Sequence, residues 1–463
     1  MKKKITFITQ IPNWIIWVQC FCFFILYAIW GLPATILVRH ICLIIGATLS
    51  LLIIYRYRHQ FFKRQAIPIW LILALFAWMT FHLLFLAGDF STQLKEYTSI
   101  WKRTFIGSVF ALGFGVALSK SLSFKRQSLF WAFIFLGLLA PVLIYIFKYA
   151  FTFVVNSWGF PMSDYWLLYF ASAPFFIPKI TYVCFCIPTL SIALGQLALN
   201  INQDRPYQLE NVFYLLSIFA VLFVFYSENI KNGAVYSTFL ITLFMGVLIF
   251  RNFQHQIFIK LITLIIFVGV GLNFMGSSIK KNDSWRSLVA DSKIALDTEK
   301  YPYWKYNAEL GYPRNEFGDV VSVTNYERIA WGKVGLNLIV QNPFGYGLIE
   351  RSFGHLAKIK WPDSKLHQSH SGWIDLTLGI GVPGIVLIFT AILNILYQLF
   401  RLKVSNDAHQ NIYNTMAFWG ILGLLMIWCT TEISQKVYFD QLIFWISLGS
   451  GVLLGQTEQH TSF

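Results

Sequence analysis

The residues of this sequence whose types and spacing could carry chemistry fall in three short stretches. His367 and His370 stand in HQSHSGWIDLTLGIGVPG, just before an apolar run. A neutral imidazole with a pKa near ~6.5 exchanges protons at neutral pH. Three residues apart, the two rings share a face if the segment is helical. With Asp363 or Asp375 nearby they could also ligate zinc, but a further ligand is missing. Arg328 opens the helix-like stretch YERIAWGKVGLNLIVQNPFGYGL, where NPFGYG reads as a turn. Its guanidinium stays ionised and can fork onto two oxygens of an anion. Lys231 lies with Glu228 in the tight turn SENIKNGAVYS, as a point charge. The structural alternatives are an interfacial histidine, a helix-capping or headgroup arginine, and an ordinary loop lysine.

The elements that must position these residues are apolar spans. About 20 apolar residues cross a bilayer. Twelve runs approach that length: 14–30, 33–55, 67–87, 104–119, 129–147, 178–199, 211–227, 234–250, 257–275, 373–400, 411–429 and 441–455. The expected fold is therefore all-α and polytopic, with about twelve transmembrane helices. Spans one to nine occupy 1–275, a long loop occupies 276–372, and spans ten to twelve occupy 373–463. The loop contains two helix-like stretches, WRSLVADSKIALDTEKY and YERIAWGKVGLNLIVQN, the second with Ile329, Gly332, Leu336 and Ile339 at helical spacing. A folded cap is expected rather than a linker, because structureless loops beyond roughly 15 residues are uncommon. Residues 148–177, including SWGFPMSDYW, read as an aromatic loop at the interface. Gly379, Gly381, Pro383 and Gly384 permit a bent or closely packed helix after His370.

Basic residues orient the spans. Lys2, Lys3 and Lys4, then Arg56, Arg58, Lys63 and Arg64, then Lys120, Lys125 and Arg126, and finally Arg205, Arg251, Arg401 and Lys403 fall on one side, taken as cytoplasmic. The other side holds Arg39, Lys95, Lys102, Arg103, Lys148, Lys179, Lys231 and Lys436. An even span count puts both termini in the cytoplasm and the long loop outside. The lysine-led N-terminal run is not followed by a small-residue cleavage site and is read as a retained first helix.

Composition excludes the main rivals. Only 12% of the 463 residues are charged and 57% are hydrophobic, with mean hydropathy +0.59, so there are too few charges to coat a soluble globule, which carries roughly 25%. The +15 formal charge follows from the inside bias, and the basic residues are too scattered for a nucleic-acid face. Cys20, Cys22, Cys42, Cys184, Cys186 and Cys429 all lie in apolar runs, so they read as packing residues rather than a disulfide framework. Lys95, Lys102 and Arg103 flank Trp101 in QLKEYTSIWKRT, an interfacial amphipathic segment touching anionic lipid or helping to hold a pyrophosphate. Arg286 and Arg314 read as solvated loop charges. A transporter or lipid flippase would place charges at mid-membrane, whereas here the polar groups gather in one outside loop.

In order and sidedness these pieces resemble the family of O-antigen ligases and O-antigen polymerases. The resemblance lies in Lys231, Asn232, Gly233 and Ala234 after a span, in Arg328 at the start of a loop helix, in Asn342, Pro343, Phe344, Gly345, Tyr346 and Gly347, and in His370 and Ser371 followed by Gly381, Val382, Pro383 and Gly384. It covers roughly 226–390, with topology agreeing elsewhere. Lys231 departs from the arginine that many members carry. The resemblance implies a metal-independent, inverting glycosyltransferase of the bacterial inner membrane that uses no cofactor. Its donor would be an undecaprenyl-pyrophosphate-linked glycan and its acceptor the lipid A-core oligosaccharide, presented on the periplasmic side. It further implies that His370 takes the acceptor proton, that Arg328 and Lys231 neutralise the leaving pyrophosphate, and that His367 orients the acceptor or binds a phosphate. An O-antigen polymerase or a protein O-oligosaccharyltransferase would use the same groups.

Overall fold

The computed structural model describes residues 11–121, 124–163, 166–168, 177–203, 205–250, 257–281, 287–307, 309–402, 408–429 and 436–456. Lys2, Lys3, Lys4, Arg251, Arg286 and Lys403 lie outside the described residues, as does part of the 148–177 segment. Among the described residues there is no strand, only an isolated bridge between Arg314 and Val320. The helices are α1 (Asn13–Ile29), α2 (Ile36–Arg56), α3 (Ile67–Phe85), α4 (Phe90–Glu96), α5 (Lys102–Lys120), α6 (Phe124–Trp158), α7 (Lys179–Asn202), α8 (Leu209–Ser227), α9 (Lys231–Phe250), α10 (Ile257–Lys281), α11 (Leu288–Leu296), α12 (Val323–Gln341), α13 (Ser352–Lys360), α14 (Gly372–Arg401), α15 (Ala408–Ile427) and α16 (Lys436–Gly455).

This is an all-α, multi-pass membrane architecture. Among the described residues eight segments are long and apolar enough to cross a bilayer: Ile36–Arg56, Arg64–Phe85, Ser128–Trp158, Lys179–Asn202, Leu209–Ser227, Lys231–Ile249, Gly372–Arg401 and Val437–Gly455. Asn13–Ile29 and Ile257–Asn273 are apolar but shorter. The two other expected spans coincide with α5 and α15, which are less apolar. The physical reason is visible in α5, whose buried positions include Thr104, Gly107, Ser108, Gly113 and Gly115. Small residues there let helices approach closely, as membrane interiors favour. A Cβ on Gly115 would fall 2.4 Å from the Leu448 carbonyl oxygen, and one on Gly451 would fall 2.1 Å from that of Leu112. Two expected boundaries move. Helix α6 runs on to Trp158, so the first third of the supposed 148–177 loop is helical, and α10 runs past Gly276 to Lys281.

One end of the bundle is tied together by contacts between helix starts and ends. The Arg39 Nη1 donates to the Trp30 carbonyl at 3.3 Å, and the Thr181 and Tyr438 hydroxyls meet at 2.7 Å. Lys179 Nζ donates to the Glu228 carbonyl at 2.7 Å, and the Trp373 amide donates to the Trp428 carbonyl at 3.0 Å. The long loop caps this end.

The cap has its own core of Ala295, Trp304, Val321, Tyr326, Ala330, Trp331, Val334, Leu338, Phe353, Leu356, Ala357, Leu366 and Leu378. The buried face of α12 is thus the Tyr326, Ala330, Trp331, Val334 and Leu338 stripe. It is not the expected stripe through Leu336, which is 58% exposed. Asp291, fully buried on α11, organises the fold. Its carboxylate accepts from the Ser287 hydroxyl at 2.7 Å, the Asn315 side-chain amide at 3.1 Å, the Asn325 amide at 3.0 Å and the Ser322 backbone N–H at 3.1 Å. Asp291→Ala strands four donors, and hydrogen bonds to a charged group contribute about 1.5–3 kcal/mol each. The expected result is rapid proteolysis within 287–325 while the transmembrane part stays protected. Wild-type protease resistance would remove Asp291 from that role.

Candidate functional site

The turn holding Lys231 is set by how α8 ends. Asn229 adopts a left-handed conformation (φ 51°), and the Ile230 N–H reaches back to the Phe225 carbonyl at 2.9 Å, the bond of a Schellman stop. The chain then restarts at once, so Lys231 is the first residue of α9. Its ammonium sits at the positive end of a 20-residue helix, where unbonded N–H groups and the macrodipole both favour an anion.

Arg328 projects from the second turn of α12 toward this helix start. Its Nη1 donates to the Asn232 side-chain oxygen at 3.2 Å, and its charge lies within electrostatic reach of both Lys231 and His370. Neighbouring Glu327 does not take this charge up. It accepts the Tyr312 hydroxyl at 2.5 Å, and burial holds its carboxyl above the usual range.

His370 is set by three constraints. Its backbone is left-handed (φ 59°), a conformation that histidine visits more readily than most residues but still at a cost. Its ring lies flat on Trp331, with centroids 5.2 Å apart and planes 12° apart. Trp331 is three residues beyond Arg328 and thus on a neighbouring face of α12, and its indole N–H is held by the Trp304 carbonyl at 2.9 Å. On either side the chain is pinned, since the Ser369 N–H donates to buried Asp375 at 2.9 Å and the Ser371 N–H to the Ser369 hydroxyl at 3.2 Å. Burial first, and the Arg328 charge second, push the imidazole down from 6.5 to about 4. At neutral pH it is an uncharged proton acceptor.

The structure therefore brings Lys231, Arg328 and His370 to one place and leaves His367 apart. Residues 361–370 are not helical, so the shared-face argument for the two histidines fails. His367 is exposed, and its backbone carbonyl accepts the Gly354 N–H at 3.3 Å. Among the described residues no contact joins its ring to the other three.

NPFGYG proves to be more than a turn. Helix α14 breaks at Gly381 (φ 74°, ψ 172°). Pro383 has no N–H, so the Gly379 carbonyl would have no helical partner. The motif supplies what the break leaves open. Tyr346 and Gly347 donate to the Leu378 and Gly379 carbonyls, each at 2.8 Å, and the Pro343 carbonyl accepts the Val382 N–H at 2.7 Å. Trp78 on α3 donates to the Ile380 carbonyl at 2.7 Å. A broken helix at membrane depth persists only when such partners exist. A Cβ on Gly345 would fall 2.5 Å from the Gly381 nitrogen, so this position needs glycine. The first segment of α14, which follows His370, is thereby clamped to the end of α12, which carries Arg328.

Glu96 was not singled out from sequence. Its carboxylate accepts the backbone N–H groups of Ile349 and Glu350, tying α4 to the cap just past NPFGYG. Its partners are some 250 positions away, and nothing local in QLKEYT signals the contact. Arg103 is only partly exposed and bonds Asp440 of α16 at 2.5 Å, while Lys95 and Lys102 remain exposed. Arg314 is an exposed loop cation that donates to the Gly318 carbonyl at 2.6 Å. Five of the six cysteines are buried, and Cys429 is exposed.

Comparison with family models, curated proteins and solved structures found no match to this chain, so the chemistry assigned to it rests on these side chains.

Proposed function

We propose that this chain is a glycosyltransferase of the O-antigen ligase type. It transfers a glycan from undecaprenyl pyrophosphate to the lipid A-core oligosaccharide at the outer face of the bacterial inner membrane. The observation that carries the reading is Arg328, placed between a helix start bearing Lys231 and a neutral, tightly held His370. The proposed topology has about twelve crossings, with both termini in the cytoplasm and the cap in the periplasm.

The groups suit an inverting displacement. The acceptor hydroxyl oxygen forms a bond to the anomeric carbon as its proton passes to the His370 imidazole. The bond from that carbon to the pyrophosphate oxygen breaks, and the electron pair leaves with the pyrophosphate. Arg328 and Lys231, aided by the α9 terminus, are aimed where that negative charge develops, which is where fixed charges contribute most to catalysis. His367, exposed at the rim of the cap, is available to a polar acceptor. The same groups serve a polymerase or a protein O-oligosaccharyltransferase, and the acceptor separates the three.

The test is reconstitution. Purified protein in lipid, given polyprenyl-pyrophosphate glycan, is expected to load glycan onto lipid A-core and to release polyprenyl pyrophosphate. Transfer only to another repeat unit or only to protein would select the corresponding alternative. Glycan-lipid movement across the bilayer without any bond formed would instead mark a flippase and overturn the reading.

A further inference from the structure

We infer that α12 does not lie wholly outside the membrane. Its second half slopes into the leaflet on the capped side, and its open apolar face, which carries Leu336 and Val340 and ends at Phe344, is covered by lipid acyl chains. The inference rests on the membrane-spanning architecture and not on the glycosyl-transfer reading.

Helix α12 has two apolar faces. One packs into the cap core through Tyr326, Ala330, Val334 and Leu338. The other holds Ile329, Gly332, Leu336 and Val340, spaced by three or four residues and so aligned along one side. This second face is left open. Leu336 is exposed, Val340 is 80% exposed, and Phe344, just past the helix end, is 55% exposed. A contiguous apolar ridge of this kind marks a surface that meets something other than water.

The far end of the ridge lies at membrane depth. The Phe344 ring meets Trp78 of α3 with centroids 6.3 Å apart, and Trp78 stands about two turns, or ~10 Å, before α3 ends at Phe85. Gly345 packs on the Gly381 backbone, and Gly381 stands about two and a half turns into α14. The near end stays at the surface, because Arg328 bonds Asn232 in the first turn of α9. Helix α12 therefore descends from Arg328 toward Phe344.

The neighbours of the lower end identify what covers it. Phe344 extends a row formed on α3 by Trp78, Phe81 and Phe85, whose successive ring centroids are 5.8 and 5.0 Å apart. Phe81 and Phe85 are exposed on a membrane-spanning segment, so in a bilayer they face hydrocarbon. The open face of α12 continues that surface. Its border is cationic: exposed Lys333 reaches the Leu296 carbonyl at 2.7 Å, and exposed Lys360 reaches Gln341 at 3.2 Å. An apolar face with lysines at its shoulders suits acyl chains below and headgroup phosphates above.

The experiment uses the full chain in liposomes of phosphatidylethanolamine and phosphatidylglycerol. The background is Cys429→Ser, since the other five cysteines are buried. Leu336→Cys, Val340→Cys and Phe344→Cys are each labelled with a nitroxide. Electron paramagnetic resonance then measures collisions with oxygen, which partitions into acyl chains, and with a water-soluble nickel chelate. Phe317→Cys is the reference, an exposed site in the cap between Glu316 and Gly318. The oxygen-to-nickel ratio is expected to exceed the reference at all three positions and to rise in the order Leu336, Val340, Phe344. Leu336 and Val340 point away from the cap core, so their variants test the proposal without touching the Phe344–Trp78 contact. A ratio at Leu336 and Val340 equal to that of Phe317→Cys places the face in water and overturns the proposal. Shielding of both positions from oxygen and nickel alike means that protein, such as a second copy of the chain, covers the face, and overturns it too. The readout involves no turnover, so it stands or falls apart from the glycosyl-transfer reading.

Discussion

His370→Ala is expected to slow glycan transfer by about 10²- to 10⁴-fold, the range for removal of a general base, with donor binding retained because Arg328 and Lys231 remain. The left-handed backbone complicates an alanine variant, since alanine at φ 59° is strained. His370→Asn is the better probe. Asparagine tolerates that conformation but cannot accept a proton at neutral pH. Both variants should be equally slow if the imidazole is the base. If Asn restores the rate that Ala loses, the residue serves the backbone turn and not proton transfer. The pH dependence gives a second readout. Burial and Arg328 lower the free imidazole to about 4, so kcat/KM, which reports the free enzyme, should stay level as pH falls through 6.5 and drop near 4. Once a pyrophosphate occupies Arg328, the cationic cause of the shift is offset, and an adjacent anion favours the imidazolium. The kcat profile should therefore fall at a higher pH than the kcat/KM profile. Coincident profiles near 6.5 would mean that His370 is neither buried nor near Arg328 in the working enzyme. His367→Ala should be the milder change, as its ring is exposed and makes no contact with the other three groups among the described residues.

What was legible in the sequence depended on whether a feature was local. Apolar run length located the helices, and the sidedness of the loop placed Lys231, Arg328 and His370 at one end, where the structure also puts them. Gly381 and Pro383 announced a bend two residues apart. Pro383 removes the donor for the Gly379 carbonyl, so some other segment has to supply one. NPFGYG, with two glycines free to approach, was the natural supplier. The helix assumed for His367 and His370 failed for a different reason. Residues 361–370 are turn and irregular backbone ending in left-handed His370, and the spacing of two histidines does not announce that. The buried stripe of α12 runs through Tyr326 and Trp331, whose polar ends disguise them as surface residues in a pattern of aliphatics, and it leaves Leu336 exposed. Helices α5 and α15 show the limit of apolarity as a signal, since glycine, serine and asparagine can pack inside a bundle as well as leucine does. The Arg103–Asp440 and Glu96–Ile349 contacts span more than 250 positions, and no periodicity encodes such pairs.

Arg328→Ala is expected to have the largest effect of any single substitution, about a 10³-fold loss of transfer or more. Removing one fixed donor from a developing negative charge costs about 10²- to 10³-fold, and an arginine that stabilises a phosphoryl leaving group reaches about 10³- to 10⁵-fold. Arg328→Lys should recover little, because the fork is lost even though the charge is kept. Lys231→Ala should also be severe, yet Lys231→Arg should be tolerated, since a fork replaces a point charge at an open helix start. Activity alone would not separate a clamp on the leaving group from a strut between α12 and α9, because Arg328 also bonds Asn232. Two measurements make the separation. Asn232→Ala removes the strut and leaves the cation, so it should retain most of the activity if the clamp matters. The second needs no turnover at all: diethylpyrocarbonate modifies the neutral imidazole, and the pH midpoint of labelling at His370, read by peptide mass spectrometry, tracks its pKa. Burial is the larger cause of the depression and Arg328 the next, so Arg328→Ala should move that midpoint upward but not the whole way to 6.5. An unmoved midpoint in a folded variant would place Arg328 too far from His370 to share a site with it. Wild-type turnover at equal protein level would exclude Arg328 from the chemistry altogether.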